Sequence, residues 1–153
     1  MSDKNNHVVA VNRRARFEYE ILAEFEAGVA LTGSEIKSVR HHHVQLQGAY
    51  ARFKDGELWL QDAHIAPYPQ AGYQQHDPTR DRKLLLHKKE LNKIAELLSE
   101  KGRTAVPLSL YLKRGKAKVE LGIVRGRKKY DKRQAIRERE TKRDMERAVR
   151  ARA

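Results

Sequence analysis

Aromatic and β-branched residues recur at strand spacing through FEYEILAEF, residues 17–25, and Ala27-Gly28 then interrupts the run before Val29 to Leu31. This predicts two short strands with a turn or bulge at Gly28. Thr32 and Glu35 have the spacing of a capping box, so a short helix should run through SEIKSVR with Ile36 and Val39 inward and Lys37 and Arg40 outward. AYARFKDGELWLQ reads as two alternating strands joined at Asp55-Gly56, a pair that supplies the positive φ angles of a tight hairpin. Residues 66–82 contain three of the chain's four prolines and Gly72, which predicts a long irregular loop, and Lys83 to Leu86 follows as a short buried strand. Leu91, Ile94, Leu97 and Leu98 repeat at helical spacing between Lys88 and Lys101, with Gly102 placed to end the helix at its C′ position.

The pattern returns to period two in TAVPLSLYLKRGKAKVELGIVRG. One strand alternates through Leu108, Leu110 and Leu112, the chain turns near Gly115, and a second strand alternates through Val119, Leu121 and Ile123. Pro107 cannot donate to a ladder, so it should mark an edge or a bulge. About seven short strands, one principal helix and no repeated βαβ unit predict a mainly β fold with flanking α: an OB-like closed antiparallel barrel with two to three helices.

Charge adds a second part to this picture. Residues 125–153 hold 13 Lys/Arg against five Asp/Glu and little that could form a core, so most of the chain's net charge of +13 sits in a C-terminal tail. Self-repulsion and missing apolar surface keep such a segment extended when free. The acid-first pairs Glu138/Lys142 and Glu146/Arg150 have i,i+4 spacing, but at about 0.2–0.5 kcal/mol each they favour helix formation only upon contact with a partner. We therefore expect a folded domain over residues 1–130 and a basic tail over 131–153. A polyanion is the natural partner, because each phosphate neutralised by Lys or Arg releases condensed counterions.

Other classes fit less well. Cysteine is absent, which removes disulfides, thiolate metal sites and cysteine nucleophiles. The apolar stretch Val8 to Val11 is shorter than a signal-peptide core of about 7–15 residues, and nothing approaches the roughly 20 apolar residues of a membrane span; a cytoplasmic protein is expected. The tail lacks the wide apolar face that an anionic membrane surface requires. No serine lies in a nucleophile motif and no glycine-rich phosphate loop occurs, so no catalytic residue and no cofactor is assigned. His41-His42-His43 invites a metal reading, yet consecutive residues cannot all aim at one ion and no further ligand stands at recognisable spacing. A solvated, partly cationic loop accounts for them better. His64, His76 and His87 read as structural or surface singles, and Glu18/Glu20 and Glu24/Glu26 as an exposed strand face. The cluster Asn12-Arg13-Arg14-Ala15-Arg16 and the group Arg80, Arg82 and Lys83 add positive charge around the barrel, with Phe17, Tyr19, Tyr50 and Tyr130 as possible stacking partners for RNA.

Four blocks, AVNRRARFEYEI, FEAGVALTGSEIKSVR, DPTRDRKLLLHKKEL and VPLSLYLKRGKAKVELGIVRGRKKYDKR, closely resemble the SmpB family of bacterial SsrA-binding proteins and follow the family's order over nearly the whole chain. The resemblance implies an OB-type barrel with a tail disordered until bound, and a role in ribosome rescue by trans-translation. It implies that the barrel binds the tRNA-like domain of transfer-messenger RNA as a monomer, standing in for a missing anticodon stem. By that analogy Asn12, Glu26 and Leu85 lie on the RNA-binding surface, with Arg13, Arg14 and Lys83 as phosphate contacts. Gly126, Arg127, Lys128, Lys129, Tyr130, Asp131, Lys132 and Arg133 match the segment that enters the small-subunit decoding region, where Tyr130 could stack on an rRNA base. Two departures stand out: the three histidines occupy a place where the family more often has an Ala-Gly-Lys-like stretch, and no aromatic residue follows Tyr130. The rival reading is a general RNA chaperone or ribosomal-protein-like OB module without a rescue role; a histidine-metal hydrolase is the enzyme alternative.

Overall fold

The computed structural model describes residues 6–126 and, singly, Arg139, Arg143 and Met145, which are helical and exposed. The chain runs β1 (Asn6–Val11), α1 (Arg13–Glu18), β2 (Tyr19–Val29), α2 (Gly33–Arg40), β3 (Val44–Gln45), β4 (Tyr50–Lys54), β5 (Glu57–Gln61), β6 (His64–Ile65), β7 (Arg82–Leu85), α3 (Lys88–Leu98), β8 (Arg103–Lys113) and β9 (Lys116–Gly126). It is mainly β with three helices. Seven strands form one antiparallel sheet in the order β1-β8-β4-β5-β7-β2-β9, and β9 also pairs with β8, so the ladder followed strand by strand returns to β8. β1 lies beside β8 as an additional strand, and β3 pairs with β6 separately.

The hairpin expected at Asp55-Gly56 is present, with φ of 54° and 77° there and Lys54 opposite Glu57. The capping box is also as read: Thr32 Oγ1 accepts from the Glu35 amide and Glu35 Oε1 accepts from the Thr32 amide, starting α2. Val39 is fully buried, Ile36 half-buried, and Lys37 and Arg40 exposed.

Four readings are corrected. Phe17 and Glu18, read as the start of a strand, are instead the end of a helix over Arg13–Glu18, because the Asn12 carboxamide accepts from the Ala15 amide and starts a turn of good helix formers. Gly28 does not break β2; it sits where the strand pairs with Leu85 on one side and Lys118 on the other, and the register shift falls between Ile21 and Ala23. A Cβ on Gly28 would stand 3.3 Å from the Leu85 Cβ, so the glycine permits close approach instead of a turn. Leu85 itself is half exposed, not buried, since β7 turns Arg82 and Leu84 inward and Lys83 and Leu85 outward. Gly102, with φ 86°, follows a turn after Ser99 caps α3, so it is not the helix's C′ residue.

The bulge anticipated at Pro107 divides the core. Ala105, Leu110 and, partly, Leu112 pack with Leu58, Leu60, Leu84, Val119, Leu121 and Ile123 in the main core. Val106 and Leu108 pack on the other side with Ala15 and Val124. Leu108 therefore does not share a face with Leu110, although both are even-numbered: the register shift between Pro107 and Ser109 flips the parity of the strand.

The loop at 66–82 is anchored by a charge cluster whose pairing is not apparent from sequence spacing. Glu35, fully buried, accepts from Arg82 Nε at 2.5 Å and from Arg80 Nε at 3.0 Å, with Arg80 Nη2 also on its other oxygen. Arg82, equally buried, donates to the carbonyls of Ala63 at 2.8 Å and Pro78 at 3.0 Å. His76 joins the same anchor through Ser34 Oγ at 2.8 Å and the Ile65 carbonyl at 2.9 Å. Burial pushes the Glu35 carboxyl up, but the bonds from Arg80, the Thr32 amide and Arg82 outweigh it and hold the group below the ordinary carboxylate range. Part of the predicted irregular loop, Pro69–Gln74, is a kinked 3-10 turn.

Candidate nucleic-acid interface

Strand alternation brings a row of unlike side chains to the outer face of the sheet. Lys118, Gly28 and Leu85 are register partners across β9, β2 and β7, and one step along, Arg52, Trp59 and Lys83 are partners across β4, β5 and β7. Because directly opposed residues share a face, each triplet forms a cross-strand line. Lys83 pairs with Glu57 at 2.8 Å, which holds its ammonium beside this surface.

An open groove of about 510 Å³ is lined by Glu26, Gly28, Leu85, Leu86, His87, Glu90 and Lys118. The absence of a side chain at Gly28 leaves room for Leu85 and for the Lys118 ammonium, whose nitrogen would lie 3.6 Å from an added Cβ. Glu26 accepts a hydrogen bond from the Tyr111 hydroxyl and lies 3.5 Å from Lys113 Nζ. The Tyr111 bond, assisted by Lys113 and Lys118 and opposed by partial burial, holds the Glu26 carboxyl below its ordinary range. Burial, followed by the bond to Glu26, raises the Tyr111 hydroxyl well above its usual value. Glu26 is therefore a fixed anion at neutral pH, an acceptor only, set beside the Lys118 cation and the exposed Leu85 side chain.

A second cleft of about 290 Å³ opens beside α1, lined by residues that include Asn12, Arg14, Glu18, Tyr19, Gln47 and Tyr50. Asn12 is 5% exposed, and its Nδ2 donates to the Pro107 carbonyl at 3.0 Å while its backbone amide donates to that of Leu108 at 2.8 Å. It pins α1 to β8 at the bulge. Arg13 is exposed, and Arg14 Nε bonds Glu18 Oε1 at 2.5 Å.

The six residues singled out from the sequence before the tail thus separate. Glu26 and Leu85 share the groove, Lys83 lies beside Leu85 on the same face of β7, and Asn12 and Arg14 line the α1 cleft. Lys118, Trp59 and Arg52 were not singled out; the signal that could have found them is strand register, which requires the pairing partners to be known, whereas His87 enters the groove as the N-cap of α3. Gly126 ends β9, whereas residues 127–133 lie outside the described residues. His41 caps α2, and its ring stacks on Tyr68 at 6.1 Å between centroids with 12° between planes.

Comparison with known proteins gives this surface a family. The model of the family described as "SmpB protein" matches residues 9–151. The SsrA-binding protein of Chloroflexus aggregans is 56% identical over 155 residues, covering 99% of this chain and 98% of the relative. That of Staphylococcus epidermidis is 51% identical over 149 residues, covering 97% and 96%. A chain of the solved structure "tmRNA-SmpB: a journey to the center of the bacterial ribosome" superposes with a TM-score of 0.68 at 49% identity, covering 84% of this chain and 94% of that one. On this evidence the chain belongs to the SmpB family of SsrA-binding proteins.

Proposed function

We propose that this protein is an RNA-binding factor of trans-translation: it binds the tRNA-like domain of transfer-messenger RNA, carries that RNA to stalled ribosomes, and mimics the missing anticodon stem-loop in the decoding centre so that the nascent chain is tagged for proteolysis and the ribosome released. Its role is binding and positioning in the cytoplasm, without catalysis. The observation that carries the reading is the family relationship over nearly the full length of the chain, which extends through the basic tail as well as the sheet.

Residues 1–130 act as one unit, an OB-like closed barrel; the ladder that returns to β8 supports this. Its groove presents Glu26 and Leu85 to the RNA with Lys83 beside them meeting phosphate, while Arg13 and Arg14 of α1 meet phosphate at the second cleft, which Asn12 holds against β8. Glu26 orients the RNA more than it attracts it, because a carboxylate repels phosphate and gains only from correctly placed donors. Residues 131–153 are the ribosomal arm, disordered when free and helical when bound, and the segment Gly126-Arg127-Lys128-Lys129-Tyr130-Asp131-Lys132-Arg133 enters the decoding region against small-subunit rRNA.

Sequencing the RNA retained by the full chain from a bacterial lysate at moderate salt tests this reading. One RNA carrying a tRNA-like end should dominate. Recovery of ribosomal and transfer RNAs in proportion to their abundance would favour a general RNA chaperone.

A further inference from the structure

The structure supplies the histidine triplet with the partner that the sequence withheld. His7, on the additional strand β1, places its Nε2 2.9 Å from Nε2 of His42, 35 residues later, with the two rings nearly perpendicular at 80° and their centroids 4.9 Å apart. Both side chains are exposed. His42 stands at φ 61°, a left-handed conformation that costs a non-glycine residue energy, and it does so just past the end of α2, where the helix leaves its carbonyl pole.

We propose that His7 and His42 form a surface site for a divalent transition metal that prefers ligands at right angles, with Ni²⁺ as the fitting probe. Two nitrogens bound at about 2.0–2.1 Å with 90° between them stand about 2.9 Å apart, the separation found here. A tetrahedral zinc centre would spread them to about 3.3–3.4 Å. Without metal the same pair shares one proton, Nε2–H of one ring donating to the other. For both Nε2 atoms to hold the ion, the donating ring moves its proton from Nε2 to Nδ1, so both rings stay neutral and neither gives up a proton.

Among the described residues no group of three or more His, Asp or Glu converges on one ion, so water completes the coordination and the site exchanges its metal readily. His41 is stacked on Tyr68 and His43 is exposed next to it, which leaves His7 and His42 as the chelating pair. The bound ion would tie the N-terminal strand β1 to the end of α2, a link that requires no RNA.

The test is a calorimetric titration of the untagged full chain with Ni²⁺ at neutral pH, beside His7→Gln, His42→Gln and His43→Gln. One equivalent should bind to the parent, either His7→Gln or His42→Gln should weaken it at least about tenfold, and His43→Gln should leave it unchanged. Ni²⁺ should also raise the melting temperature of the parent and of His43→Gln but not of the other two. Parent-like affinity in both His7→Gln and His42→Gln, an equal loss in His43→Gln, or no binding by the parent would each overturn the assignment.

Discussion

Replacing Glu35 by Gln is expected to cost about 3–5 kcal/mol of folding stability, because it strips the counter-charge from a guanidinium that is itself completely buried. For a chain of this size that is a fall in melting temperature on the order of 10 °C. Arg82 stays protonated, since a guanidinium cannot shed its proton in a protein, and its carbonyl partners at Ala63 and Pro78 do not neutralise it. The same substitution weakens the hold of Arg80 on α2 and loosens the loop at 66–82, which stays tied to the helix through Ser34–His76 and Ser38–Ala66. The effect has a definite pH dependence. The folded carboxyl lies below its unfolded value, so Glu35 contributes its full stabilisation above the ordinary carboxylate range and loses it as pH falls through the folded value. Urea unfolding of parent and variant should therefore show a large gap at neutral pH that narrows in acid. A gap of less than 1 kcal/mol at neutral pH would mean that water, not Glu35, satisfies Arg82.

Deletion of residues 131–153 should leave affinity for the tRNA-like domain within about threefold and abolish peptide tagging on stalled ribosomes. The groove that carries the proposed RNA contacts is built from β2, β7, the link into α3, α3 and β9, all of which end by Gly126. The deleted residues 131–153 carry nine Lys/Arg against five Asp/Glu, a charge surplus of four. The tail's phosphate contacts belong, on this account, to ribosomal RNA. Removing it should flatten the salt dependence of ribosome association while leaving that of transfer-messenger RNA binding nearly unchanged. Equilibrium binding and a reconstituted tagging reaction separate the two effects; loss of RNA binding in the truncated chain would contradict the division.

Local chemistry was the legible part of this sequence. The Thr32–Glu35 capping box, the Asp55-Gly56 hairpin and the bulge near Pro107 each follow from a few adjacent residues, and each is present. What required the folded chain was anything set by distant partners. Asn12 reads as a basic cluster's neighbour until its carboxamide is seen to bridge α1 and β8. Leu108 and Leu110 read as one face until the bulge reverses the parity between them. Glu35 reads as half of a helix cap, and nothing in its spacing reveals that Arg80 and Arg82 converge on it. The groove follows the same rule. Glu26 and Leu85 were suggested by family resemblance, while Lys118 completes their surface only through its register with Gly28.

The central claim is that the outer groove of the sheet recognises a folded tRNA-like RNA. It is met most directly by equilibrium binding of the full chain to the isolated tRNA-like domain and to an unstructured RNA of equal length, repeated with Leu85→Glu. The account predicts a strong preference for the folded RNA in the parent chain and its loss in the variant, with weak, salt-sensitive binding of the unstructured RNA left in both. Equal affinity of the parent for the two RNAs, or an undiminished preference in a folded Leu85→Glu, would contradict it.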